Sequence, residues 1–380
     1  MIQIKNFDPC LEVPYYIPCT MVTVHEAIKA MNSTSYLSLY PNTQMASVPT
    51  YHRKKGSYEF RQVRIWDVER LGYAFPINVL GFDFDIFEFP SFKEGIEKVK
   101  NWLQNNEIVL VTGSPFYTPY SKDYKDSNYI DRYNQEDKEI MNHVLIVYGI
   151  NENEVLVYDP IPNNYKGSLS INDFKEFWKG DKELPKLKGR KDLEELLVYG
   201  AAKIRITKQH TETTIQHVFT QTLRTILYEY LSGSTIQDGQ DIYYYGEEAV
   251  SRFLADLEVT IKEQQELLPT FAPCIQQMKY SRYFFRDFLK EYSTVFGELN
   301  TDFVKSYEEI VLEWEKIYNI FMIYLGRKSN KFDILFDKIE TLKEKEFELL
   351  KMLQRFIGEG ALLAKGPSLE KILRKKENVK

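Results

Sequence analysis

The stretch HVLIVYGINENEVLVYDP, residues 143–160, decides how this chain of 380 residues is read. Two apolar runs, His143 to Tyr148 and Val155 to Asp159, flank the polar turn Asn151-Glu152-Asn153-Glu154, a pattern that predicts a β-hairpin. A hairpin closed over a short turn sets the far ends of its strands side by side. His143 and Asp159 are therefore expected to be near neighbours through local geometry alone. Parity then matters, because strand side chains alternate between the two faces. The odd loop Asn151-Glu152-Asn153 puts both side chains on one face, whereas a two-residue loop separates them. On one face, a carboxylate beside an imidazole fixes its tautomer and supports its charged form, the base-and-orienter half of a nucleophilic triad. The alternative is a surface hairpin with a chance histidine.

The amino-terminal stretch VPYYIPCTMVTVHEAIKAMN, residues 13–32, supplies a candidate nucleophile. Pro18 precedes Cys19, and an amphipathic run from Thr20 to about Asn32 follows, with Val24, Ala27, Ile28 and Met31 near one face. This pattern puts Cys19 at a helix N-terminus, where free backbone N–H groups and the helix dipole favour a thiolate. The same N–H groups can act as oxyanion donors. The alternative is a buried structural cysteine. Cys10 competes, but Glu12, Pro14 and a Tyr-Tyr pair after it read as extended chain. Cys274, in FAPCIQQMKY, begins a helix with no histidine motif after it and reads as structural.

A helix-starting cysteine, then a histidine and a carboxylate on later strands, is the chain order of papain-like enzymes. On Cys19, His143 and Asp159-Pro160 the sequence resembles the cysteine peptidase domain of transporters that clip bacteriocin leaders. It is more similar to the family of butirosin biosynthesis protein H. Three further stretches carry that resemblance: VTGSPFYTPYS (111–121), YYGEEAVSRFLADL (244–257) and YSRYFFRDFLKEYS (280–293). The first resembles the family's aromatic segment, here Phe116-Tyr117-Thr118-Pro119-Tyr120. The resemblance implies a papain-like amino-terminal domain that moves acyl groups from a carrier-protein thioester to an amine in natural-product (peptide or antibiotic) assembly. It also implies Tyr117 and Tyr120 as substrate-binding residues. The chain departs from papain-like enzymes in lacking a glutamine shortly upstream of Cys19, since Gln3 lies sixteen positions earlier. An oxyanion hole would then be built from backbone amides near Cys19 or another side chain.

Composition bounds the rest. With 43% hydrophobic residues the chain can bury a sizeable core and suggests two domains. Three cysteines are too few for a disulfide framework. No apolar run approaches the roughly 18 residues of a membrane span, and MIQIKNFDPCLEV lacks the order of a signal peptide. A cytoplasmic protein without membrane association is expected. The net charge of −6 argues against extended nucleic-acid binding. The basic tail KILRKKENVK reads as a solvated helix end.

Along the first part, NTQMASVPTYHRKKGSYEF (42–60) reads as loop and includes His52; a helix-like turn lies near Asp67 to Leu71. VLGFDFDIFEF reads as a half-buried strand, Ser91 as the cap of the helix FKEGIEKVKNWLQNN, and IVLVTG as a buried strand. The long polar connection SKDYKDSNYIDRYNQEDKE before His143 suggests a lid or substrate channel, the alternative being a mobile surface excursion with its tyrosines packed on its own base; the family resemblance favours the substrate wall. VYGAAKIRITK closes the domain as a strand. His25 reads as a packed or surface residue of the first helix. From about Thr211 long amphipathic runs take over, broken at Gly233, Pro269, Gly297 and Gly326. Their glutamates and lysines read as solvated faces, and His217 as a core histidine.

The expected fold is α+β: a papain-like domain with an antiparallel sheet over residues 1–208, then an all-α helical bundle domain over 209–380 that covers the cleft. Cys19 would attack an acyl thioester or amide, His143 would carry the proton and Asp159 would hold the imidazole. No metal or cofactor is called for. The expected partners are an acyl or peptidyl carrier protein and a small amine acceptor. The alternatives are a cysteine peptidase or thioesterase-type hydrolase, and a non-catalytic accessory protein of a nonribosomal assembly line.

Overall fold

In the computed structural model the described residues are 1–17, 19–31, 49–54, 60–64, 82–131, 142–206, 211–297, 301–329 and 331–362. The chain divides into two compact units. One comprises Met1–Ser38 with Leu80–Gln209, the other Leu39–Val79 with His210–Lys380. The fold is mixed α+β with antiparallel sheets and a helical carboxy-terminal region.

The first unit is built on a seven-stranded antiparallel sheet. Its strands are β1 (Ile2–Gln3), β4 (Phe82–Glu88), β5 (Ile108–Gly113), β6 (His143–Ile150), β7 (Glu154–Asp159), β8 (Tyr165–Ser170) and β9 (Gly200–Ile206). The order is β4-β9-β5-β6-β7-β8, with β1 paired to the end of β6. Central β5 and β6 are apolar nearly throughout and buried along their length, as strands covered on both faces require. Helix α1 (Cys19–Met31) packs on β6, and helix α2 (Phe92–Gln104) on β1, β5 and β6. Ser91 caps α2 by accepting the Glu94 N–H (3.3 Å), as its spacing predicts. A short helix α3 (Ser127–Asp131) lies within the polar connection before His143; residues 132–139 of that connection lie outside the described residues. Helix α4 (Ile171–Trp178) packs on β5, β7 and β8. Its Trp178 joins Phe89, Phe92 and Phe174 in an aromatic cluster with ring centroids 5.3–6.0 Å apart.

The second unit corrects the all-α expectation. It contains a four-stranded antiparallel sheet in the order β10-β11-β2-β3, formed by Ser234–Asp238, Asp241–Tyr245, Thr50–Lys54 and Phe60–Arg64. Residues 50–54, expected as loop, form β2, and segment 39–79 belongs to this unit and not to an undivided domain 1–208. The reason is non-local. Thr50 pairs with Tyr245, a partner nearly 200 positions away that no local pattern announces. The loop expected at 42–48 and the turn expected near Asp67 to Leu71 lie outside the described residues.

Five long helices complete the unit: α5 (Glu212–Ser232), α6 (Gly246–Glu263), α7 (Phe271–Phe296), α8 (Thr301–Arg327) and α9 (Phe332–Ile357). Gly233 and Gly297 take positive φ at the ends of α5 and α7, where a left-handed residue stops a helix, whereas α8 runs through Gly326. The core gathers Tyr51, Phe253, Ile275, Trp314, Phe321 and Ile339 among others, so β2 is packed as part of it. Among the described residues no helix is long and apolar enough to cross a membrane.

Not every charge on these helices is solvated. Arg282 of α7 is 1% exposed and Glu346 of α9 is 2% exposed. The guanidinium Nε and Nη2 donate to the carboxylate at 2.9–3.2 Å. Nη2 also donates to the Tyr230 hydroxyl (2.8 Å), Tyr307 donates to Glu346 (3.0 Å), and the guanidinium lies 4.6 Å from the Trp314 ring centre. Burial alone would weaken the Arg282 charge, but the Glu346 carboxylate outweighs it and holds the guanidinium protonated. Breaking such a pair from one side leaves a charge stranded in hydrocarbon. Arg282→Met is accordingly expected to cost about 3–5 kcal/mol in urea unfolding, and Arg282→Met with Glu346→Leu markedly less than twice that.

Candidate functional site

The site is assembled by two neighbouring elements. Helix α1 begins at Cys19 and lies on β6, the strand that begins at His143. Val22, Val24, Ala27 and Ile28 are buried and anchor the helix; the Met31 side chain and Pro18 lie outside the described residues. Asp159 ends β7, next to β6 in the sheet.

The hairpin reaches this arrangement by a route that parity counting did not foresee. Near the turn Ile150 faces Val155 and Gly149 faces Leu156, with the Asn151 N–H donating to the Glu154 carbonyl (3.0 Å). This is an even-numbered loop, and continuing its register would set Asp159 opposite Ile146, on the face away from His143. Between Val147 and Gly149 the register shifts, however, so Val147 faces Val157 and Ile146 faces Tyr158. Tyr148 is the extra residue of a β-bulge. Continuing the shifted register sets Asp159 across from Leu145, diagonal to His143 on the same face.

His143 Nε2 lies 2.9 Å from Asp159 Oδ2. The Cys19 thiol interacts with the same imidazole through hydrogen bonding and charge. Burial would disfavour the imidazolium, but the hydrogen bonds to Asp159 and Cys19, with their charges, overcome it and push the His143 pKa up to about 10. For Cys19, burial likewise opposes ionisation. The His143 hydrogen bond and charge outweigh it, joined by the Thr20 hydroxyl and backbone N–H, and hold the thiol below its ordinary range. The favoured state is a thiolate–imidazolium pair. It is lost as pH falls through the lowered Cys19 value or rises through about 10.

Asp159 is fully buried, and Oδ2 accepts two further hydrogen bonds, from the Tyr120 hydroxyl (3.1 Å) and the Asn163 amide (2.7 Å). Tyr120 stacks on Tyr165 with ring centroids 3.7 Å apart. Thr20, Asn163 and Tyr165 were not singled out from the sequence. Asn163 had one local signal, since an amide four positions after an aspartate, across a Pro-rich turn, can fold back onto it.

Of the two tyrosines expected to contact substrate, Tyr120 thus touches Asp159. Tyr117 lies in a 3₁₀ turn (Pro115–Tyr117), edge-on to Phe116 at 5.2 Å, against a small core of Tyr129, Ile130, Leu184, Leu187 and Leu193. Cys10 is exposed, with its thiol on the Glu12 carbonyl (3.4 Å), and Cys274 is buried in the second unit. His25 is buried in α1, its Nδ1 3.4 Å from Glu26. His52 stacks on Tyr243 (4.3 Å) and faces the Asp241 carboxylate at 3.1 Å. His217, read as a core residue, is instead exposed on α5, beside a cleft of about 620 Å³ that Arg224 and Tyr292 also line.

No protein-family model matches this chain, and no curated protein matches it either.

Two outcomes test the geometry. Iodoacetamide at pH 6–7 should alkylate Cys19 at least about tenfold faster than the exposed Cys10, with His143→Ala erasing the difference, as peptide mapping would report. Gly113 pairs with His143, and a Cβ there would stand 2.3 Å from the Phe177 carbonyl oxygen. Gly113→Ala should therefore lower stability by about 1–3 kcal/mol and slow Cys19 alkylation.

Proposed function

We propose that this chain is a cysteine-dependent acyltransferase with a papain-like amino-terminal unit. The observation that carries the reading is the convergence of Cys19, His143 and Asp159 from three separate elements, with His143 2.9 Å from Asp159 and in interaction with Cys19. An activated thiol, an imidazole able to hold or release a proton and a buried carboxylate behind it form a nucleophile–base–orienter set. A donor thioester carried by an acyl or peptidyl carrier protein suits such a nucleophile, because thioester exchange needs no stronger leaving-group activation than one proton from His143.

In this mechanism the Cys19 thiolate attacks the donor carbonyl. The departing carrier thiolate takes the proton of the His143 imidazolium and leaves an acyl group on Cys19. The neutral imidazole then receives a proton from the incoming amine as its nitrogen attacks the acyl-enzyme, and Cys19 departs as thiolate beside the restored imidazolium. The N–H groups of the first turn of α1 are the available oxyanion donors in a helix that starts at the nucleophile. Assigning the acceptor as an amine rests on the family resemblance of the sequence; the triad chemistry by itself serves hydrolysis equally well.

Incubation with an acylated carrier protein should load the acyl group on Cys19, visible by intact mass, and Cys19→Ala should abolish loading. A panel of small amines should then yield amide in preference to free acid. Acid as the sole product would assign a hydrolase, and loading unaffected by Cys19→Ala would end the reading.

A further inference from the structure

We propose that Tyr120 is a positioning residue of the triad: with Asn163 it locks the Asp159 carboxylate onto the His143 ring, and Tyr165 holds it in place by stacking. The inference rests on the reading of Cys19, His143 and Asp159 as a working triad. It gives Tyr120 a task other than contact with substrate.

The arrangement has four parts. Asp159 sits at the end of β7 with no solvent exposure, so its charge must be met by protein donors. Among the described residues three side chains donate to it, and they converge on Oδ2: His143 at 2.9 Å, Tyr120 at 3.1 Å and Asn163 at 2.7 Å. Oδ1 accepts no hydrogen bond from the described residues. Among the described residues, then, the hydrogen bonds that set the carboxylate torsion act through Oδ2, and two of those three donors are Tyr120 and Asn163.

The support behind Tyr120 is equally specific. Tyr165 is the residue of β8 directly opposite Asp159 in the β7–β8 ladder, so its side chain shares that face. The Tyr120 ring lies on it, nearly parallel at 14°, while the Tyr165 hydroxyl is tied to the Ser168 carbonyl (2.9 Å). A stacked, tethered ring leaves the Tyr120 hydroxyl little freedom except toward Asp159. Burial first, and then the charge of Asp159, hold the Tyr120 phenol well above its ordinary pKa. It therefore remains a donor wherever the thiolate–imidazolium pair exists. Asn163 reaches back from the turn that follows Asp159, where the Asn164 N–H is fixed on the Pro160 carbonyl (3.1 Å).

Removing the phenol oxygen while keeping the ring isolates this role. With Tyr120→Phe the stack survives, but Asn163 is then the one described donor besides His143 on the carboxylate, and the imidazolium loses part of its aligned acceptor. The test is an NMR titration of the His143 ring in the full chain, assigned by comparison with His143→Gln and accompanied by thermal unfolding. In the wild type the midpoint should lie far above that of an ordinary histidine. Tyr120→Phe should lower it by up to about one pH unit, because a less well aligned carboxylate stabilises the imidazolium less than it does in the wild type. Asn163→Ala should move it the same way, and both variants should slow Cys19 alkylation several-fold with little change in melting temperature. A His143 midpoint that stays put or rises in both folded variants overturns the proposal, even with a strongly activated Cys19. An ordinary midpoint in the wild type, with Cys19 no faster than Cys10, overturns the triad reading and this inference together.

Discussion

The register change at Tyr148 is the constraint on which the chemistry of the amino-terminal unit depends. Side chains on a strand alternate, so whether two residues of a hairpin can meet is a matter of odd and even. Below the turn the hairpin runs in the register that would point His143 and Asp159 to opposite sides of the sheet. One extra residue in β6 reverses the parity of everything beyond it, and the imidazole and carboxylate face each other at 2.9 Å. The bulge also falls where β6 changes neighbours. Above it β1 pairs with Gly149 and Ile150, and below it β5 pairs with residues 143–147.

Burial then sharpens what the bulge makes available. A carboxylate without solvent is tolerable only when donors meet it, and those donors also fix its direction. The imidazole beside it is held charged against the cost of its own burial. The thiol one step further gains from that charge more than it loses by desolvation. Each group compensates the one behind it, and the set is anchored by α1 lying on β6.

Much of this was legible in the chain. Cys19 opening a helix, the hairpin with His143 and Asp159 at its far ends, the Ser91 cap and the five carboxy-terminal helices all follow from periodicity and punctuation, and each is found at or within a few residues of its expected bounds. What stayed hidden is non-local or combinatorial. The bulge leaves no mark, since any residue of an apolar run can be the extra one. Strands β2 and β11 are five residues each and pair across almost 200 positions, so TYHRK looks like loop and DIYYY like the lead-in to a helix. Glu346 falls at a polar position of an amphipathic helix, and only the arrival of Arg282 from another helix makes it a core residue. His217 has apolar neighbours in sequence but lies on the exposed side of α5.

That internal ion pair has a bearing on how the helical unit can rearrange. Tyr230, Arg282, Tyr307 and Glu346 come from four different helices, yet their polar atoms meet at one point. Hydrocarbon contacts tolerate slippage, because one leucine can stand in for another. The Glu346 carboxylate has no such substitute on α9, where Leu342 and Leu350 stand one turn to either side of it. Ratcheting α9 past its neighbours by a single turn, about 5.4 Å, would put a leucine where Glu346 stands and maroon the Arg282 charge in an oily interior. Helix α9 is therefore keyed to the three helices around it, as a pin is to a lock.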